Sequence, residues 1–423
     1  MLTSKRDFLK TMGGLGAAFS LNSLTVFDSA FSKIDHLSPL KVAENNDFWE
    51  EIRKAYRLKP DYINLENGYY SMQSEEVLNA FIKHVKEVNY QASYYMRTTQ
   101  FDDKAAMRQK LSAMLGCSVE ELAITRNTTE SIDTVVSGID WKAGDEAVMA
   151  EQDYGAMLDM FKQQARRHGI VNKVISVPNH PQSDDEIVEL YEKAITPKTR
   201  LLMICHMVNI TGHILPVKKI CDMAHRHGVE VIVDGAHAFA HIDFKITDLG
   251  CDYYAASLHK WLGCPLGVGI LYVKKDKIKN IWSLFADNGY ADDDIRKLNH
   301  TGTHPVHTDL AIADAITFHE KMGSPKKEAR LRYLQEYWTK QVRDIKGVVV
   351  NTPVDSQRAC GIANVGVTTL KPADLAKILF KKYQIWTVAI DYAQVKGVRI
   401  TPHVYTTTTE LDQLVRALKE LAV

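Results

Sequence analysis

The sequence predicts an α/β protein: a large domain whose mostly parallel sheet lies between helices, and a smaller α+β domain at the C-terminus. From Leu65 onward, short β-branched or apolar runs alternate with longer helical patterns, which is typical of strands joined by crossover helices. After residue 300 this alternation gives way to a long charged helix and a mixture of strands and helices. A chain of 423 residues also exceeds what one hydrophobic core usually supports.

The individual elements follow from hydrophobic periodicity. Residues 65–300 form the predicted large domain, residues 301–423 the small one, and the polar stretch over residues 289–307 marks the junction. We expect the small domain to open with one long helix from Asp309 to about Ile345. The predicted strands are Leu122–Thr125, Ala147–Ala150, Val171–Val177, Leu201–Cys205, Val229–Asp234, Tyr253–Ala256, Gly269–Val273, Val348–Asn351, Gly361–Val367 and Val398–Ile400. The other predicted helices are Tyr154–His168, Val217–His227, Pro372–Tyr383 and Glu410–Leu421.

Composition excludes several classes of protein. Lys plus Arg and Asp plus Glu both count 52, so no net charge attracts nucleic acid or an anionic membrane surface. A hydrophobic content of 45% with a mean hydropathy of -0.21 predicts no stable membrane span. The six cysteines contain no Cys-x-x-Cys pair, and the loop histidines His300, His304 and His307 lack supporting ligands, so no metal is expected.

The first 32 residues have the layout of an export signal. Lys5 and Arg6 precede a Gly/Ala/Leu stretch that is too short to span a bilayer. The segment resembles the bacterial twin-arginine signal, with Lys5 in place of one arginine, and that pathway moves folded, cofactor-loaded cargo. We therefore expect export to the periplasm, followed by an N-terminal arm over residues 33–64. The alternative is a cytoplasmic protein with a short basic N-terminal helix.

Asp234 and Lys260 are the strongest catalytic candidates. Asp234 ends an apolar strand, where ligands bind in open α/β sheets. Lys260 follows after one more strand, between His259 and Trp261, and an apolar setting helps a lysine lose its proton, as an imine-forming amine must. Taken singly, a surface lysine and a helix-capping aspartate are the commoner readings. Pyridoxal phosphate chemistry requires a lysine, an acid, a phosphate cradle and a ring face, and the sequence offers a candidate for each.

The runs VDGAHA and SLHKWLGCPLGVG resemble the class V aminotransferase family of fold type I pyridoxal phosphate enzymes, which have an aspartate aminotransferase-like fold. Within that family the isopenicillin N epimerase-like branch is most similar. The resemblance implies that pyridoxal 5'-phosphate forms a Schiff base with Lys260 and that Asp234 pairs with the pyridinium nitrogen. It further implies that His237 contacts the phenolic oxygen of the cofactor and that Ser257 and His259 bind its phosphate.

Three upstream motifs extend the expected cofactor site. Thr128 and Thr129 open a predicted helix, where free amides and the helix dipole bind anions, although a capping box would explain the same pattern. By resemblance these threonines bind the phosphate, and Asn209 lies near the phenolic oxygen. Tyr154 is the candidate for stacking on the pyridine ring. The alternatives are that Tyr154 only packs against its neighbours, or that the stacking position falls nearer to Gln152.

Substrate and subunit contacts are expected from the second half of the chain. Arg399 lies on a short predicted strand, and its planar fork suits a carboxylate; in the resembling family this arginine binds the α-carboxylate of an amino acid. Thr303 matches a residue that reaches the phosphate of the neighbouring subunit, which implies a homodimer with shared active sites. Tyr69 and Arg97 are further substrate-pocket candidates.

The reaction type is only partly constrained. A cysteine desulfurase needs a thiolate shortly before the C-terminal arginine, and the run IWTVAIDYAQVKGVRITPH contains no cysteine. Transamination, epimerisation and elimination at the α-carbon of an amino acid or an amino-acid derivative remain. The resemblance favours an epimerase-like or aminotransferase-like enzyme. The alternatives are a carbon–sulfur or other β-eliminating lyase and a non-catalytic binding protein, the latter expected to have lost Lys260, Asp234 or the phosphate cradle.

Overall fold

The computed structural model describes residues 31, 34, 36–286 and 289–422. Apart from Phe31, the predicted export signal lies outside these residues. The α/β prediction is confirmed: a seven-stranded sheet forms the centre of the molecule, and a four-stranded antiparallel sheet lies toward the C-terminus.

The large sheet has the order β2-β8-β7-β6-β5-β3-β4. Every pairing in it is parallel except those of β8 with its two neighbours. Most of its strands are apolar and buried along their whole length, as expected for strands covered by helices on both faces. Its strands are β2 (Leu122–Thr125), β3 (Glu146–Ala150), β4 (Val171–Ile175), β5 (Thr199–Cys205), β6 (Glu230–Asp234), β7 (Tyr253–Ser257) and β8 (Gly269–Val273).

The α-helices before residue 300 precede the sheet or connect its strands. They are α1 (Pro39–Ala43), α2 (Asn46–Arg53), α3 (Glu75–Gln91), α4 (Ser93–Arg97), α5 (Gln100–Leu115), α6 (Thr128–Gly138), α7 (Gly155–His168), α8 (Asp184–Ala194), α9 (Val217–Arg226) and α10 (Ile246–Leu249). Short 3₁₀ turns occupy Val119–Glu121, Lys275–Asn280 and Ile295–Asn299.

The small sheet has the order β12-β13-β10-β9. A separate parallel pair joins β1 (Ile63–Asn64) to β11 (Ile385–Trp386), so the chain just before Leu65 is bound to the C-terminal region. The sequence reading missed β12, whose VAIDY run contains a single buried residue and so has a weak apolar pattern. The remaining elements are α11 (Val306–Met322), α12 (Ser324–Val342), β9 (Val348–Val350), a 3₁₀ turn at Ser356–Arg358, β10 (Ala363–Val367), α13 (Pro372–Tyr383), β12 (Val388–Tyr392), β13 (Val395–Ile400) and α14 (Thr408–Leu421).

The prediction of a single long helix from Asp309 to Ile345 is wrong. The chain forms two helices, α11 and α12, that meet at Gly323, whose φ is 82°. A positive φ favours glycine and ends a helix, and Pro325 then lies in the first turn of α12, where proline is tolerated. Charge pattern alone did not reveal this break.

The apolar cores connect the two halves of the chain. Ile312 and Ile316 of α11 pack in the cluster beneath the large sheet, although they follow residue 300. Leu65 packs instead with Trp338 and the strands of the small sheet. Leu65, at the start of the predicted large domain, is thereby held against the C-terminal region.

Candidate active site

A cavity of about 300 Å³ lies at the carboxyl ends of the central strands. Cys205, Asp234 and Ser257 are the last residues of β5, β6 and β7, and all three line it. Parallel strands present their carboxyl ends at one edge, which is where open α/β sheets bind ligands. The other lining residues are Gly68, Tyr69, Arg126, Asn127, Thr128, Thr129, Tyr154, Met207, Asn209, Ala236, His237, His259, Lys260, Leu266, Gly267 and Arg399.

Lys260 and His237 meet in this cavity. The Nζ atom of Lys260 lies 3.1 Å from Nε2 of His237, and the indole of Trp261 donates to Nδ1 of His237 at 3.5 Å. Asp234, at the end of β6, accepts the backbone N–H of Ala236 through Oδ1 at 3.0 Å. The end of β6 and the turns after β6 and β7 thus bring three groups to one cavity: the carboxyl group of Asp234, the imidazole of His237 and the amine of Lys260.

Burial dominates the protonation of these groups. It lowers the pKa of Lys260 to about 8, while the nearby Asp234 carboxylate opposes this shift. It also lowers the pKa of His237, with the Lys260 charge adding to the effect, so the imidazole is neutral. The pKa of Asp234 is raised by burial and held down in part by the Ala236 amide and Lys260. Lys260 is therefore half deprotonated near pH 8 and releases its proton far more readily than an ordinary lysine.

The N-terminus of α6 forms an anion-binding cradle. Thr128 donates its backbone N–H to Oγ of Ser257 at 2.9 Å, and the two hydroxyl oxygens lie 2.7 Å apart. The helix is capped by Asn127, whose side chain accepts the N–H of Glu130, so the capping-box alternative for the threonines does not hold. Gly269 permits this packing, since a Cβ there would lie 2.7 Å from the Cα of Asn127. The threonines are left to face the cavity.

Three further predicted residues line the same space. Tyr154 caps the start of α7 and is 43% exposed, whereas Gln152 is buried and accepts the backbone N–H of Val177 instead of lining the cavity. Oδ1 of Asn209 and Nδ1 of His259 are buried without a hydrogen-bond partner among the described residues. Unpartnered polar atoms that border a cavity point to a polar ligand there.

Arg399, on β13, is held by an unforeseen partner. Its Nε and Nη2 atoms donate to the two carboxylate oxygens of Glu66 at 3.1 and 2.5 Å, and Nη1 donates to the carbonyl of Asn209 at 3.2 Å. The sequence reading missed Glu66 because it follows the two-residue strand β1, which carries no periodic pattern. Arg126 was also missed; it lines the cavity and pairs with Glu130 at 3.0 Å.

Two predicted site residues do not line the cavity. Arg97 is exposed at the end of α4, and Thr303 is exposed in the loop before α11. The role predicted for Thr303 requires a neighbouring subunit, so it stays a prediction. Within the described residues, no group of three His, Cys, Asp or Glu side chains is arranged to hold a metal ion. None of the helices in that part of the chain has the length and apolar character needed to cross a membrane.

Comparison with known proteins agrees with this geometry. The model of the family Aminotransferase class-V matches residues 64–414. The chain is 31% identical to isopenicillin N epimerase from Amycolatopsis lactamdurans over 74% of this chain and 84% of that protein. It is 25% identical to a cysteine desulfurase from Haloferax volcanii over 75% of this chain and 77% of that protein. Among solved structures, the cystine C–S lyase C-DES, with glycine covalently linked to its PLP cofactor, has a TM-score of 0.78 at 21% identity, covering 87% of this chain and 99% of that one.

A lysine, a buried acid and a helix N-terminus around one cavity define a site for a phosphate-bearing carbonyl cofactor. The chain belongs to the class V aminotransferase family, within the isopenicillin N epimerase-like branch. Its cofactor is pyridoxal 5'-phosphate. The residues present fit this group: the α6 N-terminus with Ser257 suits its phosphate, Asp234 its pyridine nitrogen, and Lys260 its aldehyde.

Proposed function

We propose that the protein is an epimerase-like enzyme that acts at the α-carbon of an amino acid or an amino-acid derivative. One observation carries the proposal: a partly deprotonated lysine amine and an arginine fork line the same cavity, with a buried carboxyl group beside the lysine. This is the set of groups needed to bind an amino acid by its carboxylate and to move a proton at the carbon next to it. The relative named isopenicillin N epimerase adds support for the epimerase-like reading.

Each residue has a defined part in this proposal. Pyridoxal phosphate supplies an electron sink for the carbanion at the α-carbon. Arg399 holds the substrate carboxylate, and Asp234 pairs with the ring nitrogen at its end of the cavity. Lys260 holds or delivers the α-proton at Nζ, with a pKa of about 8 that matches proton transfer near neutral pH. His237, neutral and 3.1 Å from Nζ, orients the amine.

Elimination is the second candidate, because solved structures of this fold include a cystine C–S lyase. Within the described residues, Cys205 is the one cysteine that lines the cavity, and burial raises its pKa well above the usual value. A thiol held neutral at the end of β5 is a poor acceptor for sulfur. Any carbon–sulfur cleavage here is therefore expected to release sulfur to solution and not onto a cysteine of the chain.

The first experiment is an absorbance spectrum of the purified protein, followed by borohydride reduction and peptide mapping. We expect a visible or near-ultraviolet cofactor band that reduction fixes onto Lys260. A screen of amino acids would then measure racemisation, keto-acid release and β-elimination products separately. Racemisation supports the epimerase-like reading, and pyruvate with free sulfide or thiol supports the lyase. The absence of a band after incubation with the cofactor would favour a non-catalytic binding protein.

We also propose a homodimer with shared active sites, with Thr303 reaching the neighbouring site. Its support is a set of exposed aromatic side chains on three successive helices: Tyr90 on α3, Tyr94 on α4 and Phe101 on α5 are 77%, 67% and 65% exposed. Exposed apolar groups this close in the chain are typical of an interface. Sedimentation of the holoenzyme as a monomer would contradict the dimer.

Export to the periplasm stays a separate proposal, supported by the basic and then apolar pattern of residues 1–32. A fusion of this segment to a reporter tests it. Delivery of the folded reporter to the periplasm is the expected result, and a strictly cytoplasmic product would contradict it.

A further inference from the structure

The carboxylate-binding arginine of the cavity already has a carboxylate partner. Arg399 and Glu66 form a bidentate pair, and their side chains are only 8% and 7% exposed. An arginine offers five N–H donors, of which Glu66 takes two and the carbonyl of Asn209 takes one. One donor each on Nη1 and Nη2 remains, and Arg399 lines the cavity. A ligand carboxylate can therefore bind the guanidinium while Glu66 stays in place.

Glu66 is fixed behind the arginine by the segment that carries it. Oε1 of Glu66 also accepts the backbone N–H of Tyr69 at 3.0 Å. The next residue, Asn67, donates its backbone N–H to Oγ1 of Thr401 at 2.6 Å and its side-chain amide to the Thr401 carbonyl at 2.8 Å. A Cβ at Gly68 would lie 3.3 Å from Cζ of Arg399, which shows how closely this segment packs on the guanidinium. Withdrawal of Glu66 would break several of these contacts.

The fixed carboxylate of Glu66 changes which ligands can bind to the Arg399 guanidinium from the cavity. A bound carboxylate would lie across one guanidinium group from Glu66, in a buried place where like charges repel strongly. A simple carboxylate has no charge to offset this repulsion. An amino acid carries a cationic ammonium group beside its carboxylate, and that positive charge attracts Glu66 as well.

We propose that Glu66 is a specificity-determining residue that makes the Arg399 subsite favour zwitterionic amino acids over carboxylates that lack an amino group. The inference rests on the proposed function, since Arg399 is taken to hold the substrate carboxylate. Keto acids belong to the disfavoured class. The site is thereby biased against aminotransfer, in which a keto acid must bind, and toward reactions that begin with an amino acid and keep its amino group.

Calorimetric titration of the holoenzyme tests this without relying on turnover. The probes are propionate, which lacks a cation, and N,N,N-trimethylglycine, a zwitterion that cannot form an imine. In Glu66→Gln we expect propionate to bind at least about tenfold more tightly than in the wild type, with a clearly smaller gain for trimethylglycine. Propionate that binds equally or more weakly, or equal gains for both probes, would overturn the inference.

Matched variants separate charge from geometry. Glu66→Asp keeps the negative charge and should keep weak propionate binding. Glu410→Gln removes an equivalent bidentate partner from Arg53, outside the cavity, and should leave both affinities unchanged; a gain there would contradict the inference. Thermal melting of every variant verifies folding.

The double variant Glu66→Gln/Arg399→Lys keeps the positive charge but loses the planar guanidinium that binds a carboxylate through two N–H groups. It should therefore bind propionate no more tightly than the wild type does. A gain that persists would mean that Arg399 does not hold the carboxylate. Catalysis is scored independently by the amino-acid screen, so failure of the inference and failure of the proposed function are distinguishable.

Discussion

Two lysines with lowered pKa values lie next to Trp261. Lys260 is half-buried and its amine lines a cavity of about 300 Å³, beside His237 and close to Asp234. Lys327, on α12, is 4% exposed and donates to the carbonyl of Trp261 next to a space of only about 10 Å³. Burial lowers both pKa values, to about 8 for Lys260 and about 7 for Lys327.

The comparison shows that a lowered pKa does not identify a catalytic lysine. Both amines lose protons readily for the same reason, desolvation. Of the two, only Lys260 borders a space large enough for a ligand. Among the described residues, Cys360 and not a carboxylate opposes the shift of the Lys327 pKa. Access and neighbouring groups therefore distinguish a reacting lysine from a structural one.

The largest expected effect comes from removing the accessible lysine. Lys260→Ala should abolish covalent attachment of the cofactor and lower the rate of reaction by about 10²–10⁴-fold, the usual worth of a positioned acid–base group. Absorbance, borohydride fixation and peptide mapping measure this. Appearance of the reduced cofactor on Lys327 would contradict the assignment of the two roles.

The pH dependence of cofactor attachment tests the state of the Lys260 amine. Because only the neutral amine attacks the aldehyde, the attachment rate of the apoprotein should rise with pH, with a midpoint near pH 8. Asp234→Asn should move this midpoint lower, since the carboxylate favours the protonated amine. Stopped-flow absorbance over a pH series measures both, and a midpoint close to the ordinary lysine value would show that Lys260 is not desolvated.

Lys327 should affect stability more than chemistry. Lys327→Met leaves the Trp261 carbonyl without its donor, which costs about 1–3 kcal/mol for a buried acceptor. The unfolded chain binds more protons at this lysine than the folded protein above pH 7, so the unfolding free energy of the wild type should rise with pH from about 7 toward 10.5. The variant should show a smaller rise, because Lys260 of the apoprotein still contributes one of its own above about pH 8. Denaturant melts of the apoproteins over this range measure the difference.

The smallest effect is expected at Cys360. This cysteine is buried and does not line the cavity, and burial raises its pKa to about 12. Cys360→Ala should leave the reaction rate with any amino-acid substrate unchanged. Loss of sulfur release on this substitution would point to persulfide chemistry and away from the proposed function.

Much of the site was predictable because its residues follow strands in a recognisable order. Asp234, Ser257 and Lys260 occupy the ends of apolar runs or the turns after them, and parallel strands place such positions at one edge. Glu66 was not predictable in this way, since its partner Arg399 lies 333 positions away and no local pattern joins them. The break at Gly323 was hidden because charged residues on both sides continue a helical pattern.

The sequence by itself determined the α/β class, the positions of most large-domain strands along the chain and the residue types of the cofactor site. These follow from hydrophobic periodicity and turn residues, which act over a few positions of the chain. Only the tertiary structure decided that Glu66 forms an ion pair with Arg399. It also decided that Lys260 lines a ligand-sized cavity, whereas Lys327 lies beside a space of only about 10 Å³. Charge pairing and burial depend on which distant segments pack together, and local sequence carries no record of that packing.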